Sequence, residues 1–415
     1  MNRDERQQKA IEAWVKAKGH ATIEGCTGFG KTRCAINIIT KLKQKHPSIR
    51  VLVVVPTQTL KEQWKSELDF RGLNVEVQII NTTAKHNYEC DLLIIDEIHK
   101  AAADLLSSIF EKVTYKLILG LTATLERLDG RHSIIEKYAP ICDSISVREA
   151  LLNGWVTRYK DYVIVIDVPD IETYKKINAE FTTYFEFFNW DFNLAMSLVG
   201  PKGITNKWRL AKEHAPNNYE KQKEFLKMIN YNAAGFMRTL QARKKFIQNH
   251  PEKIRIAEEI IAHRPNKKII TFSANTKMAE SFKEGYVYTG KEGKRKNRIT
   301  LDEFKSMSQA IMHSCKMAIE GLDVPDLSVG IQLGVDSSKT KAIQSLGRII
   351  RCSKGKESAE FFTIVINNTV ETKWMQNAKE NSDIILLDEE GLMHVLNGEP
   401  YQPYQRSIQS FLYRF

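Results

Sequence analysis

The stretch Gly25-Cys26-Thr27-Gly28-Phe29-Gly30-Lys31-Thr32 constrains this chain more than any other, because it fills every fixed position of the pattern G-x-x-x-x-G-K-[ST]. A loop that wraps a polyphosphate must turn several backbone N–H groups inward. That requires residues free to leave ordinary φ/ψ space and lacking a Cβ. Gly25, Gly28 and Gly30 meet the demand, and Thr27 completes the set of loop residues expected to touch the nucleotide. Lys31 follows, with its ammonium in reach of β- and γ-phosphates, and Thr32 offers a hydroxyl to Mg2+ at the first turn of a helix whose dipole favours anions. The flanks agree. Ala21–Glu24 has the size of a short strand, and Ala35, Ile36, Ile38, Ile39 and Leu42 recur at helical spacing over residues 33–43. A strand–loop–helix unit that cradles ATP is expected.

Length and composition narrow what surrounds that unit. With 415 residues, 42% of them hydrophobic, the chain has material for two or three domains with cores of their own. Lys and Arg number 61 against 50 Asp and Glu, and the resulting net charge of +11 favours a polyanionic partner. Cys26, Cys34, Cys90, Cys142, Cys315 and Cys352 show no C-x-x-C spacing and no zinc-like clustering with His, so reduced thiols are expected. Residues 1–6 lack an apolar h-region, and no run of about eighteen apolar residues occurs. These features predict a soluble, intracellular (cytoplasmic) chain with no membrane partner.

Ahead of the loop, Ala10, Ile11, Trp14 and Val15 share one face of a helix over residues 7–17. Behind it, residues 50–57 form an apolar run of the kind buried on both faces of a parallel sheet. A helical stretch over residues 61–70 comes next. Further strand signals span 75–80, 91–95 running into Asp96-Glu97-Ile98-His99, and 115–121 running into Thr122-Ala123-Thr124. Alternating strands and helices with polar motifs at strand C-termini describe an open α/β sheet, whose ligands gather at that edge. A second series of strands occupies 159–168, 267–273, 286–290, 310–314, 327–333 and 360–366. A mostly helical, polar stretch from about residue 171 to 249 interrupts it, and it carries no P-loop.

Hydrolysing a γ-phosphate is mostly positioning and charge neutralisation, so one carboxylate on the metal and another beside the attacking water are wanted. Asp96 suits the Mg2+ shell and Glu97 the role of general base; the bland alternative is two solvated surface acids. Arg348 and Arg351 lie three apart, hence on one helical face, and would present two guanidinium forks to charge building on the transferred phosphoryl group. The alternative there is a solvated basic turn.

Motif after motif, over both α/β units, the chain resembles a superfamily 2 helicase or translocase of the DExH type. Asp96-Glu97-Ile98-His99 is similar to the DExH box, Thr122-Ala123-Thr124 to the third motif, and residues 344–351 to the sixth, Q-x-x-G-R-x-x-R. The resemblance implies an α/β fold of two tandem RecA-like parallel-sheet domains, with a mostly helical insertion in or before the second. ATP and Mg2+ would lie in the cleft and a nucleic-acid strand across the top. The implied division is residues 1–155 for the first domain, 156–170 with 250–385 for the second, 171–249 for the insertion and 386–415 for a C-terminal tail. The resemblance further implies Gln344 in the catalytic group beside Lys31, Glu97, Arg348 and Arg351, and Gln7 as the reader of adenine. Gly321 and Asp323 would approach the nucleotide or the sixth-motif arginines, and Thr122 and Thr124 would couple nucleotide state to the domain interface. Pro56, Thr57, Gln63, Ser273, Thr289, Gly290 and Ser314 would line the nucleic-acid path, joined by Lys294 and Arg295 from the basic run 291–298.

Within the insertion, Phe181, Tyr184, Phe185, Phe188 and Phe192 fall at helical spacing and predict a packed stripe; a stacking platform or wedge that uses Phe187 or Trp190 is the alternative. The expected activity is an ATP-dependent DNA helicase or translocase working as a monomer on single-stranded, forked or branched DNA, with replication or recombination proteins as conceivable partners. The DEIH box and residues 125–130 resemble phage and bacterial DNA-branch helicases and repair translocases. An RNA helicase, a duplex translocase without strand separation and a catalytically inactive clamp are the competing readings.

Overall fold

Long apolar runs alternating with amphipathic helices leave few ways to bury both faces of the strands, and the chain adopts the same solution twice. The computed structural model describes residues 1–102, 107–125, 131–200, 203–315, 324–335, 339–378 and 383–401. The first unit holds β1 (His20–Gly25), β2 (Val51–Val55), β3 (Glu76–Ile79), β5 (Leu92–Asp96), β7 (Leu117–Thr122) and β8 (Ile141–Ile145), in the order β3-β2-β5-β7-β1-β8. The short strands β4 (Tyr88–Glu89) and β6 (Val113–Thr114) pair with each other beside it. The second unit holds β9 (Arg158–Ile166), β10 (Lys268–Ser273), β11 (Tyr286–Tyr288), β12 (Ala310–Cys315), β13 (Val329–Gln332), β14 (Ser358–Ile366) and β15 (Ile385–Leu387), in the order β11-β12-β10-β13-β14-β9-β15. Every described pairing is parallel. Each sheet therefore gathers its strand C-termini along one edge, which is where Gly25, Val55, Asp96 and Thr122 stand in the first and Ser273 and Ile366 in the second. No described helix is long and apolar enough to cross a membrane.

The helices are set by their caps and apolar faces. Asn2 and Glu5 form a reciprocal capping box at the start of helix Arg3–Lys16, which buries Ala10, Ile11 and Trp14. The Trp14 indole N–H donates to Ile118 O at 2.9 Å and so pins this helix to β7.

Three expectations are corrected. The edge strand β8 gave no strand signal in the sequence, because its alternation is weak and two of its five residues are polar or acidic. Residues 386–397, assigned to a tail, complete β15, which pairs with β9, and form a helix (Glu389–Asn397) that buries Leu392 and Leu396 in the core of the second sheet. The aromatic stripe is broken: helix Ile171–Glu186 ends before it is complete, and Asn189 and Trp190 take left-handed φ of 49° and 61°. Phe181 and Phe188 stay buried with Ile229 and Phe236 in a core belonging to the insertion, whereas Phe192 is 47% and Trp190 55% exposed.

Beneath the insertion, helix Pro251–Ala262 is tied to the second sheet by a fully buried ion pair. Lys253 Nζ donates to both carboxylate oxygens of Glu371, at 2.5 and 2.7 Å, and to Leu333 O at 2.9 Å. Glu371 also accepts from Ile366 N at 3.1 Å. Burial pushes the lysine pKa down and the glutamate pKa up, and the geometry of their contact keeps them paired. Lys253→Met, which leaves the Glu371 carboxylate buried without its cation, is expected to cost about 3–5 kcal/mol, and Lys253→Met with Glu371→Leu to recover most of it. Thermal and urea unfolding check this; a double variant no more stable than the single would contradict the pairing.

Candidate nucleotide and nucleic-acid site

The P-loop is shaped by backbone that only glycine adopts readily: Gly28 and Gly30 have φ of 91° and 95°, and Gly30 caps helix Lys31–Lys45. Lys31 Nζ donates to Gly25 O at 2.6 Å and thereby closes the loop on its own lysine. Gln7, 2% exposed, sends Nε2 to Phe29 O at 2.7 Å, while its Oε1 is buried with no hydrogen-bond partner. An orphaned buried acceptor beside a polyphosphate loop fits the amino group of adenine. Arg6 sets the approach of this helix by bonding Asp143 and Glu149, which hold its guanidinium protonated.

At the C-terminal end of β5, Asp96 is 7% exposed and accepts from the Trp64 indole N–H at 2.8 Å and from Glu97 N at 3.0 Å. Burial first, then the charge of Glu97, pushes its carboxyl up to about 6, with Lys31 acting the other way. A carboxylate and a hydroxyl, as Asp96 and the half-buried Thr32 would offer, are the oxygen donors that suit Mg2+. Glu97 has a left-handed φ of 52°, unusual for a residue with a side chain, and its Oε2 lies 3.4 Å from His99 Nδ1. That nitrogen also stands 3.0 Å from Thr122 Oγ1, and the Thr122 hydroxyl donates to Thr124 O at 2.7 Å. The acid after β5 and the threonines after β7 thus belong to one polar chain.

From the second unit, helix Lys339–Ile349 approaches the P-loop so closely that a Cβ on Gly347 would overlap Thr27. Gln344 on the same helix is buried and Arg348 half-buried. Arg351 is a correction: the helix ends at Ile349, so the two arginines do not share one helical face. Instead the chain beyond the helix is fixed through its carbonyls. Thr157 N donates to Ile350 O at 2.8 Å and Thr157 Oγ1 to Arg351 O at 3.0 Å. Lys356 Nζ bonds Ile349 O, Arg351 O and Pro325 O, and burial lowers its pKa to about 8. Sequence reasoning missed Trp64, Thr157 and Lys356, because each acts through a contact that spacing does not encode. Gly321 and Asp323 lie outside the described residues.

The expected nucleic-acid contacts divide. Pro56 and Thr57 follow β2, with Thr57 Oγ1 capping helix Gln58–Phe70, and Gln63 is exposed on that helix. Ser273 ends β10 and Thr289 follows β11; both hydroxyls are buried without a hydrogen-bond partner, and Gly290 beside them is exposed. Arg295 is exposed on helix Lys294–Ser306, and the Lys294 side chain lies outside the described residues. Ser314 is a correction. It is wholly buried within β12, and its hydroxyl donates to Thr271 O at 2.8 Å, so it faces the neighbouring strand rather than the edge.

Residues 1–89 and 72–127 match the family described as "Type III restriction enzyme, res subunit", and residues 252–353 match "Helicase conserved C-terminal domain". The chain is 27% identical over 396 residues to the DNA 3'-5' translocase XPB2 of Sulfurisphaera tokodaii, covering 90% of this chain and 84% of that one. It is 26% identical over 382 residues to a protein of Acanthamoeba polyphaga mimivirus named as an ATP-dependent RNA helicase, covering 86% of this chain and 62% of the relative. Its fold is similar to the Hef helicase domain of Pyrococcus furiosus, with a TM-score of 0.51 at 16% identity over 90% of this chain and 98% of that one.

Lys356→Met removes the cation that gathers the carbonyls of Pro325, Ile349 and Arg351 around the end of the Gly347 helix. It is expected to lower kcat for ATP roughly tenfold, about 1.4 kcal/mol in the barrier, with KM changed less than about twofold. Steady-state ATPase assays beside a thermal melt check this; a rise in KM at constant kcat would assign Lys356 to nucleotide binding instead.

Proposed function

The chain belongs to the superfamily 2 helicases and translocases, nucleic-acid-dependent ATPases built on two RecA-like units, and from that premise we propose that it is a motor that tracks along DNA and separates or remodels its strands. The observation that carries the reading is the seating of Gly347 on Thr27, which sets the guanidinium-bearing segment of one unit against the phosphate loop of the other. Lys31, Thr32 and the loop amides would hold the triphosphate, Gln7 the adenine, and Asp96 with Thr32 the Mg2+, whose charge offsets that of the phosphates when bound. Glu97 would take a proton from an attacking water, and its contact with His99, whose Nδ1 also meets Thr122 Oγ1, would link that proton to the threonines of the coupling motif. Arg348 and Arg351 would steady charge on the departing phosphates, so hydrolysis depends on how the two units sit.

DNA is favoured as the track because the relative aligned over most of both chains is named a DNA translocase, and the net charge of +11 suits either nucleic acid. The same relative's name supports 3′-to-5′ travel. RNA remains the second reading, supported by the name of the mimivirus relative. Strand separation is supported by the exposed Trp190 and Phe192 just after helix Ile171–Glu186, both set edge-on against Phe185 at 5.4 and 6.4 Å, since exposed rings stack on unpaired bases.

ATPase activity is expected to rise at least tenfold with single-stranded or forked DNA and less with RNA of the same sequence; equal stimulation by RNA would reverse the preference. Trp190→Ala is expected to reduce displacement of a strand from a fork by about one order of magnitude, with DNA-stimulated ATPase within twofold of the parent, as loss of one base stack at 1–3 kcal/mol implies. Unimpaired displacement would favour a translocase that does not part strands.

A further inference from the structure

A cavity of about 390 Å³ opens where the helical insertion meets the second sheet, away from the P-loop. Its walls are helix Ile171–Glu186, helix Tyr219–Gln248 and the turn from β14 into helix Val370–Ala378. One cationic side chain comes from each wall: Lys175, Arg243 and Lys373. Among the described residues no acidic side chain lines it; the other polar groups facing it are amides and hydroxyls such as Asn178, Thr372 and Gln376. The nearby acids are already engaged. Glu371 is turned inward onto Lys253, and Glu172 holds Lys175 at 2.7 Å in a pair so exposed that an anion of higher charge displaces it readily.

The cations are not equally free to move. The Arg243 guanidinium lies 4.0 Å above the Phe181 ring, and its Nε is buried without a hydrogen-bond partner. Lys175 and Lys373 are exposed and able to swing inward. Below them the Tyr174 hydroxyl accepts from Val370 N at 3.0 Å and Thr369 Oγ1 from Glu371 N at 3.3 Å, so the amides of this helix start are largely taken and attraction for anions rests on the side chains. The cavity also stands on the edge where strand C-termini gather. β14 is two places from β10 in the sheet, so the turn after Ile366 lies about 10 Å along that edge from Ser273.

We propose that this cavity is a phosphate-binding subsite, which takes backbone phosphates of the nucleic-acid strand where it passes from the edge of the second sheet to the insertion. It rests on the nucleic-acid reading above for the source of the phosphate, not for its chemistry. Lys175→Gln with Lys373→Gln, two exposed positions whose replacement leaves the core untouched, tests it in two arms. In the first, anisotropy of a labelled single-stranded oligodeoxynucleotide is followed from 50 to 200 mM KCl. The double variant is expected to bind roughly tenfold more weakly at the lowest salt, with a log–log salt slope shallower by about 1.4, two contacts at about 0.7 each. Arg243→Gln is expected to weaken binding similarly. In the second arm, inorganic pyrophosphate is titrated in a thermal melt on a Lys31→Ala background, which removes the P-loop's share. Stabilisation of the parent but not the double variant, with equal DNA binding by both, would keep the phosphate chemistry and assign it to a free phosphate compound. A double variant indistinguishable from its parent in both arms overturns the proposal. A parent that fails to bind DNA at any salt sinks the motor reading instead, and the pyrophosphate arm still decides the cavity.

Discussion

A backbone that passes too close for a side chain is the constraint on which this molecule's chemistry depends. At Gly347 the second unit comes within contact of Thr27, so the phosphate loop of one sheet and the helix of the other share a boundary with no room between them. The connection between the units reinforces it. Thr157, just before β9, bonds through both its N–H and its hydroxyl to carbonyls immediately after that helix, at 2.8 and 3.0 Å. The connector therefore fastens the segment that bears Arg351 as well as leading into the second sheet. A displacement of either unit must be felt at these carbonyls, which makes a site assembled from two halves responsive to their separation.

Cost concentrates on the same side of the first sheet. Burial and the neighbouring Glu97 push the Asp96 carboxyl up to about 6, and the left-handed backbone of Glu97 adds on the order of 1–3 kcal/mol. The surroundings make both conditions hold. Trp64 and the Glu97 amide grip Asp96, apolar Leu92–Ile95 bury the strand behind it, and His99 spans Glu97 and Thr122. On the motor reading proposed above, a carboxylate held in this way would gain from a divalent cation.

How far the sequence could be read depended on the range of the interaction. The P-loop, the apolar runs Val51–Val55 of β2 and Leu92–Ile95 of β5 and the two acids that follow the second were legible because local pattern decides them. Ser314 was misread because spacing identified a strand and not which neighbour its hydroxyl would meet. Arg351 was misread because Ile349-Ile350 looks like continuing helix; the helix stops at Ile349, and Lys356 returns from the following turn to bond Ile349 O and Arg351 O. The aromatic spacing of the insertion matched a helix, yet two left-handed residues at 189 and 190 broke it and turned Trp190 and Phe192 outward. Residues 386–397 looked like a tail packed on the body because of the nearby prolines and aromatics, while a three-residue strand paired with β9 drew them into the sheet.

The insertion is mechanically part of the second unit, and the reason is a single helix. Tyr219–Gln248 places Ile229 and Phe236 in the insertion's core and Ile247 in the core of the second sheet, and at roughly 1.5 Å per residue its 30 residues span about 45 Å. Its far end is held by Phe246 against Tyr174, whose hydroxyl in turn holds Val370. Directly below, the Lys253–Glu371 pair ties the next helix to the ends of β13 and β14. A unit held at so many points has little freedom to flex between sheet and tip. On the motor reading proposed above, a rotation of the second sheet would therefore carry the insertion and its exposed rings along with it.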